Sequence, residues 1–149
     1  MIRNAEVTDF AALIGMGRKF HAAADAGDIP PFDELSFRRT VSWMVESPTG
    51  AVLVIDQGGV QGMVGGMVYP AWFNHAFQLG QEIFWWAEPQ VRGKEAMELR
   101  RAFESRMREL GAVSMIMLSL AGMRDEAMAR LYRREGYRPM EHTFIRSLL

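Results

Sequence analysis

Residues 82–104 read EIFWWAEPQVRGKEAMELRRAFE, an apolar strand pattern that gives way to a helical pattern across Pro89 and the Arg-Gly-Lys triplet at 92–94. A strand, a tight turn and a helix start in this order can bind an anion. The first backbone N–H groups of a helix have no partners inside the helix, and the helix dipole favours negative charge there. The stretch therefore predicts an anion site at the start of the helix.

Upstream of this stretch the pattern predicts two helices and a hairpin. Apolar side chains recur at helical intervals over residues 7–26, and a second helix is expected over 34–46 after two prolines. Two β-rich runs flank Gln57-Gly58-Gly59, where the glycine pair permits the positive φ angles of a hairpin turn. The glycines within 62–66 indicate a bulge or a close backbone approach. A loop is expected over 70–80.

Downstream of the opening stretch the pattern alternates between helices and strands. We expect an amphipathic helix over 94–110, a buried strand over 112–120 and a second helix over 124–135. Two strands are expected over 137–140 and 142–149. With a first strand at the extreme N-terminus, this order predicts a mixed sheet covered by helices, with at least one parallel crossover.

The composition is that of one soluble globular domain over 1–149. No apolar run approaches the roughly 20 residues that span a bilayer, and the N-terminus lacks the apolar segment of a signal peptide, so we expect a cytoplasmic protein with no membrane partner. The absence of cysteine excludes disulfides, thiolate catalysis and Cys-based metal sites. The three histidines, His21, His75 and His142, lie far apart in sequence, so no metal site is expected.

Charge is divided unevenly along the chain. Residues 1–91 carry a net negative charge and residues 92–149 a net positive one. The C-terminal part is suited to an anionic partner, or its helices simply carry arginine-rich surfaces. A pI of about 6.3 and the interleaving of arginine with glutamate disfavour nucleic acid as that partner.

The element order, the motif WAEPQVRGK at 86–94 and the segment ARLYRREGYRPMEHTFIRSL at 129–148 resemble the GNAT superfamily of acetyl-CoA-dependent N-acetyltransferases. Within it the chain is most similar to small phage-type GNAT proteins. The resemblance implies an α/β (α+β) fold with a mixed, mostly antiparallel central sheet. That sheet would have about seven strands, splayed at the middle, and about four helices.

The resemblance also implies acetyl-CoA as the cofactor. In the family, the central strand offers backbone groups to the pantetheine arm, and the following turn and helix start bind the pyrophosphate through backbone N–H groups. The cofactor positions implied here are Trp86, Ala87, Arg92, Gly93, Lys94, Glu95, Ala96, Met97 and Asp125.

Three of these positions depart from the family pattern. Glu95 and Met97 stand where small residues are usual, so a carboxylate would repel phosphate and a Met would crowd the backbone. Arg92 and Lys94 can compensate for that charge. Asp125 stands where many members carry an Asn that contacts the cofactor.

The resemblance implies Tyr132 as the general acid that protonates the departing thiolate. The alternative is a Tyr that packs its ring on the sheet with its hydroxyl satisfied locally. The amine must lose a proton before it attacks, and Glu82 is our first candidate for the base, directly or through water. On a regular strand Glu82 and Trp86 share a face, and a bulge between them would reverse that. Glu82 as an exposed strand-start carboxylate stays an alternative, as does His75 as a base.

The acceptor is expected near two loops that mix aromatic and acidic residues. The candidate positions are Phe32, Asp33, Trp72 and Phe73. Such a mouth suits a cationic amine through charge and cation–π attraction, and the same aromatics are equally suited to cover the core or a dimer surface. The acceptor is then a primary amine of a small molecule or a protein.

We therefore predict an N-acetyltransferase that works by direct attack in a ternary complex. A covalent intermediate is not expected, because the chain has no Cys and no recognisable Ser-His-acid arrangement. The alternative is a non-catalytic GNAT-fold protein that binds CoA or acts as an interaction module. An RNA-directed acetyltransferase is a third reading, which the acidic N-terminal part disfavours. Family members often dimerise, which leaves a homodimer open.

Overall fold

A computed structural model of the protein describes residues 1–24 and 27–149. In this part of the chain the strands and α-helices, in order, are β1 (Ile2–Asn4), α1 (Phe10–Ala24), α2 (Glu34–Glu46), β2 (Gly50–Asp56), β3 (Val60–Ala71), β4 (Asn74–Ala87), α3 (Lys94–Glu109), β5 (Ala112–Ile116) and α4 (Asp125–Arg134). The predicted four helices are confirmed. The last predicted residues of the first helix, 25 and 26, lie outside the described part.

The strands form one mixed sheet in the order β1-β2-β3-β4-β5. All neighbours are antiparallel except β4 and β5, which are parallel and joined through α3. The mostly antiparallel sheet and the parallel crossover are therefore confirmed. So is the hairpin at 57–59, where Gly58 and Gly59 adopt φ angles of 69° and 133°.

The core lies on both faces of the sheet. Leu13 of α1 and Met44 of α2 pack with Phe84 on one face, while Leu99 and Phe103 of α3 pack on the other. Each helix carries its apolar side chains on the stripe that meets the sheet, as the periodicity predicts. β4 is thus covered on both faces, and it is the strand that carries the candidate site.

Two glycines of β3 allow this close packing. A Cβ added at Gly65 would collide with the Phe84 ring, and one added at Gly66 would collide with the Gln81 carbonyl. The glycines therefore lie where β4 approaches β3 most closely, and a register shift lies between them. This confirms the bulge or close approach expected for this segment.

The expectation of about seven strands is wrong for the described residues, which form five. The two missing strands are those predicted over 137–140 and 142–149, where no strand forms. β-propensity needs a partner ladder to become a strand, and Pro139 has no N–H to donate to one. The outer edge of β5 accordingly receives no strand from the described part of the chain.

Two other boundaries differ from the sequence expectation. The loop predicted over 70–80 is instead a continuation of the β3–β4 hairpin, in which Ala71 pairs with Asn74 around a tight turn. Aromatic residues favour pleated structure, and this outweighed the turn signals. β5 ends at Ile116 instead of residue 120 and is partly exposed, since it is an edge strand. None of the described helices is both long and apolar enough to cross a bilayer.

Candidate active site

A gap opens in the sheet where β4 and β5 part. Their parallel pairing runs from Gln78 with Ala112 to Gln81 with Ile116, and there β5 ends. β4 continues through residues 82–87, which pair with β3 except at Ile83, and no strand of the described residues lies on their other edge. Backbone groups on that edge are therefore available to a ligand. We call the space between β4 residues 82–87 and the segment 117–120 the cleft.

A β-bulge at Ile83 sets the directions of the side chains in the cleft. Gly65 pairs with Phe84 while Gly66 pairs with Glu82, so Ile83 is an extra residue on β4. Phe84 packs with the cluster under α1 and α2, as does Trp86, whereas Trp85 packs with the cluster under α3. The strand is therefore not regular, and the bulge foreseen as the alternative reverses the shared face of Glu82 and Trp86 and places Glu82 with Trp85.

Glu82 lies at the inner end of the cleft and is 3% exposed. It lines a cavity of about 50 Å³, which has room for water. The cavity walls are mostly apolar, from Phe20, Trp85, Leu118, Leu120, Met123 and Met128. Burial raises the pKa of the Glu82 carboxyl to about 7, although an N–H donated by Leu118 to Oε2 at 3.1 Å opposes the rise. The alternative of an exposed strand-start carboxylate is therefore wrong.

Tyr132, on α4, reaches the same segment from the other side. Its hydroxyl donates to the Leu118 carbonyl oxygen at 2.8 Å, and the residue is 8% exposed. Burial, with the nearby Glu82 carboxylate, holds the pKa of the Tyr132 hydroxyl above its usual value. The backbone of Leu118 thus links the two candidate catalytic side chains. Its N–H donates to Glu82, and its carbonyl oxygen accepts from Tyr132.

The buried carboxyl of Glu82 should make stability depend on pH. Its folded pKa of about 7 lies above the ordinary 4.5, so the fold favours the protonated form. That stabilisation is fully present below about pH 4.5 and is lost as the pH rises to about 7. A shift of this size corresponds to about 3 kcal/mol. In urea unfolding, the free-energy advantage of Glu82→Gln over wild type should therefore grow by about that amount from pH 4.5 to about pH 8; a constant difference would contradict the shift.

The start of α3 has the features of an anion site. Gly93 precedes the helix with φ 96°, a conformation that L side chains rarely adopt, and space is open where its Cβ would be. No side chain caps the helix, whose first internal bond runs from the Met97 N–H to the Gly93 carbonyl. The N–H groups of residues 94–96 are therefore not satisfied by a capping side chain.

Basic side chains flank these N–H groups. The Arg92 guanidinium stacks 5.4 Å from the Trp86 ring, and its Nε donates to the Ala87 carbonyl at 3.0 Å. Lys94 is largely exposed, with its Nζ 3.9 Å from Glu98. The turn fits a phosphate-bearing group, because its amides have no capping side chain and two cationic residues, Arg92 and Lys94, flank Gly93 in the sequence.

The remaining cofactor candidates differ in exposure. Ala96 is buried against the core, while Glu95 and Met97 are partly exposed on the first turn of α3. Asp125 is already engaged, since its Oδ1 accepts the Ser119 hydroxyl at 2.6 Å. This contact ties the start of α4 to the cleft segment.

The indole N–H of Trp85, in the wall of the Glu82 cavity, has no hydrogen-bond partner among the described residues. Trp85 Nε1 is buried without a hydrogen-bond partner in the described protein, and its side chain lines the Glu82 cavity. A buried donor without a partner is costly, and this donor belongs to a side chain of the cavity wall.

The acceptor candidates divide into two places. The Phe32 ring packs 5.5 Å from Phe37, which packs 5.4 Å from Phe84 of β4, so Phe32 belongs to an aromatic chain that leads towards the sheet. The Arg18 guanidinium lies 5.0 Å from the Phe32 ring. Asp33 caps α2 by accepting the Ser36 N–H at 2.7 Å.

Trp72 and Phe73 lie elsewhere. They form the exposed tip of the β3–β4 hairpin, with ring centroids 5.2 Å apart. At the rise of a strand, the stretch from Asn74 to Glu82 separates this tip from Glu82 by roughly 25 Å. The structure therefore does not bring Trp72 and Phe73 together with the catalytic candidates. His75, next to the tip, is remote from Glu82 for the same reason.

Sequence reasoning missed the segment that links the catalytic candidates. The strand predicted over 112–120 includes Leu118, yet Leu118 lies beyond the end of β5 and forms both hydrogen bonds of the linkage. Met123, to which no element was assigned, lines the cavity. The one signal was Gly122, which ends the apolar run. Arg124, with φ 53°, is the non-glycine residue of the described chain with a positive φ, and it turns the chain into α4.

Comparison with known proteins gives a fold. No protein-family model and no curated protein sequence matches the chain. Solved structures do match over nearly the full length of both chains. An acetyltransferase of Trypanosoma brucei is 16% identical with a TM-score of 0.71, covering 99% of each chain. A ribosomal-protein-alanine N-acetyltransferase of Brucella melitensis is 13% identical with a TM-score of 0.71, covering 99% of each chain.

A third similar structure is an aminoglycoside acetyltransferase from an uncultured soil metagenomic sample in complex with sisomicin. It is 13% identical with a TM-score of 0.71, and the match covers 100% of this chain and 96% of that one. At these identities the likeness concerns the fold alone. The protein therefore has the mixed α+β fold of GNAT-type acetyltransferases.

Proposed function

We propose that the protein is an N-acetyltransferase that moves the acetyl group of acetyl-CoA to a primary amine by direct attack in a ternary complex. The observation that carries this proposal is the pairing of Glu82 and Tyr132 through Leu118, beside the unpaired edge of β4. One group has a pKa near neutrality and the other keeps its proton, which suits a base and an acid respectively.

The chemistry can be assigned to these residues. Acetyl-CoA, when bound, supplies an acetyl thioester that an amine can attack. Glu82, as the carboxylate, accepts the proton that the amine loses, directly or through water in its cavity. An amide bond would replace the thioester bond, and Tyr132 would donate its hydroxyl proton to the leaving sulfur. The proton that Glu82 took from the amine would then return to Tyr132 through solvent. Protons therefore balance, and the products are the acetylated amine and the free thiol.

The remaining residues hold the substrate. Arg92, Gly93 and Lys94, with the N–H groups at the start of α3, would bind the pyrophosphate, and the unpaired edge of β4 would meet the pantetheine arm. We propose that residues 1–149 act as one such domain, of the phage-type group, in the cytoplasm.

The acceptor we propose is an amine of a small molecule or of a protein. Both kinds are named among the similar structures, one bound to sisomicin and one described as acting on a ribosomal-protein alanine. Among the acceptor candidates, Phe32 belongs to the aromatic chain that ends at Phe84, close in sequence to Glu82. An aromatic ring there would attract a cationic amine.

Calorimetric titration with acetyl-CoA, CoA and desulfo-CoA tests the proposal first. We expect dissociation constants in the micromolar range, followed by amine-dependent release of free thiol in a screen of small amines and peptides. Binding without thiol release from any amine would favour the non-catalytic alternative. No binding at millimolar acetyl-CoA would overturn the cofactor site.

Glu95 gives a prediction about that site. Glu95 lies on the first turn of α3, where its negative charge would repel a phosphate bound at the helix start. We expect Glu95→Gln to bind CoA about threefold to tenfold more tightly at low salt, and this gain to shrink as salt is added. Glu109→Gln, at the other end of the same helix, is the matched control and should change nothing. If Glu95→Gln and wild type bound CoA with equal affinity, the Glu95 carboxylate would not act on the bound phosphates.

A further inference from the structure

Arg100, in the middle of α3, is a cation buried in the core. Its side chain is 2% exposed, yet both terminal nitrogens have partners. Nη1 donates to Glu104 Oε2 at 3.0 Å, and Nη2 donates to Glu135 Oε2 at 2.6 Å. Burying a guanidinium is costly unless such partners surround it, so this arrangement is a built network and not a surface ion pair.

Tyr137 joins this network. Its hydroxyl donates to Glu104 Oε2 at 2.8 Å and lies 3.3 Å from Arg100 Nη1, while the Arg100 guanidinium lies 5.7 Å from the Tyr137 ring. Arg100 therefore fixes the Tyr137 side chain through both its hydroxyl and its ring.

Tyr137 in turn contacts the proposed acid. The rings of Tyr132 and Tyr137 lie 5.6 Å apart, and the Tyr137 N–H donates to the Tyr132 carbonyl at 2.9 Å. Gly136, with φ 90°, makes the turn that folds Tyr137 back on α4. A chain of contacts thus runs from Arg100 to Tyr137 to Tyr132, whose hydroxyl meets the Leu118 carbonyl.

We propose that Arg100 is a positioning residue for Tyr132, fixing its ring through Tyr137 and placing a buried positive charge behind the hydroxyl that donates a proton. This inference rests on the proposed function, because it assigns Arg100 to the acid of that reaction. Arg100 does not touch substrate, and it acts only through the position and the charge environment of Tyr132.

The charge around Tyr132 is mixed. Glu82 of β4 faces it with a carboxylate that disfavours the tyrosinate, and Tyr137 acts in the same direction, whereas Arg100 favours the tyrosinate. Glu104 and Glu135 are both paired with Arg100, and Glu104 also accepts the Tyr137 hydroxyl. Neutralising Arg100 would therefore make the Tyr132 proton harder to lose as well as loosening its ring.

The test compares Arg100→Gln, Arg100→Lys and Arg101→Gln in the full chain. Arg101 also binds Glu135 but is 60% exposed, so it is the matched control. We expect Arg100→Gln to lower kcat about tenfold to a hundredfold with little change in the KM for acetyl-CoA, and Arg100→Lys to recover much of that loss. Arg101→Gln should leave both constants unchanged. An unchanged kcat in folded Arg100→Gln would overturn the proposal.

A second readout does not depend on activity. In protein labelled with ¹³C at the tyrosine Cζ, the Tyr132 resonance is identified by its loss in Tyr132→Phe. Arg100→Gln should shift that resonance, and Arg101→Gln should not. If wild type transfers no acetyl group, the proposed function fails while this shift still tests the positioning.

Tyr137→Phe covers the case in which Arg100→Gln does not fold. It removes the hydroxyl contact with Arg100 and Glu104 but keeps the ring against Tyr132. We expect a lower kcat with unchanged acetyl-CoA affinity and a shifted Tyr132 resonance. An unmoved Tyr132 resonance in this variant would overturn the link.

Discussion

Tyr132→Phe is expected to lower kcat by about 10²–10⁴-fold while the affinity for acetyl-CoA stays close to that of wild type. The hydroxyl is the only group removed, and in the structure it contacts the Leu118 carbonyl and not the α3 turn proposed for the phosphates. Its proton is proposed to reach the leaving sulfur in the transition state, so its loss should appear in kcat and not in binding. Steady-state kinetics with calorimetry separates the two quantities.

Tyr69→Phe is the matched control for this variant. The Tyr69 hydroxyl also lies on the sheet, where it donates to Gln81 Oε1 at 2.7 Å, but it takes no part in the linkage through Leu118. We expect Tyr69→Phe to keep both kcat and affinity. If Tyr132→Phe instead lost acetyl-CoA affinity and kcat in equal measure, its hydroxyl would be a binding group and not the acid.

The same variant carries a modest stability effect. Removing the Tyr132 hydroxyl leaves the Leu118 carbonyl without that hydrogen bond, which costs about 1 kcal/mol. An effect of this size leaves the fold intact, so a large loss of kcat is interpretable. Thermal unfolding of both Phe variants verifies this before kinetics.

Local patterns predicted the helices and the first hairpin because each depends on neighbouring residues. Gly58 and Gly59 need their positive φ wherever the strands lie, and the apolar stripe of α3 follows from its own spacing. The candidate catalytic residues Glu82 and Tyr132 were proposed separately, and the structure brings both side chains to Leu118.

Pairing between distant segments could not be predicted in this way. The bulge at Ile83 depends on how Gly65 and Gly66 meet β4, and a one-residue shift reverses the faces of every later side chain. The strand pattern over 142–149 found no partner ladder, because pairing requires a free edge in reach and not only β-propensity. The loop predicted over 70–80 was wrong for the opposite reason, because β3 and β4 pair with each other across this segment and extend the hairpin.

The Arg100 network is a second feature that local sequence patterns could not predict. Arginine is mostly an exposed residue type, yet Arg100 is among the most buried side chains of the described protein. Its partners Glu135 and Tyr137 come from beyond α4, so no spacing within α3 signals them. Buried polar networks depend on tertiary contacts, which is why they are the last feature that a sequence reveals.

The Glu82 carboxyl should control the pH dependence of the reaction. A base works only when it is deprotonated, and the pKa of Glu82 is raised to about 7. We therefore expect kcat/KM to rise with pH up to about 7 and then to level off. Tyr132 adds no alkaline limb near neutral pH, because its pKa lies above the usual value and it stays protonated.

Glu82→Gln should lower kcat/KM by about 10²–10⁴-fold at about pH 8 and abolish the acid limb. The amide keeps the size of the side chain and its oxygen can still accept the Leu118 N–H, so Tyr132 retains its partner. Glu88→Gln is the matched control, because Glu88 follows β4 directly and pairs with Lys19 at 2.6 Å outside the Glu82 cavity. It should keep the wild-type profile. An acid limb that persists in Glu82→Gln would assign the titration, and the role of base, to another group.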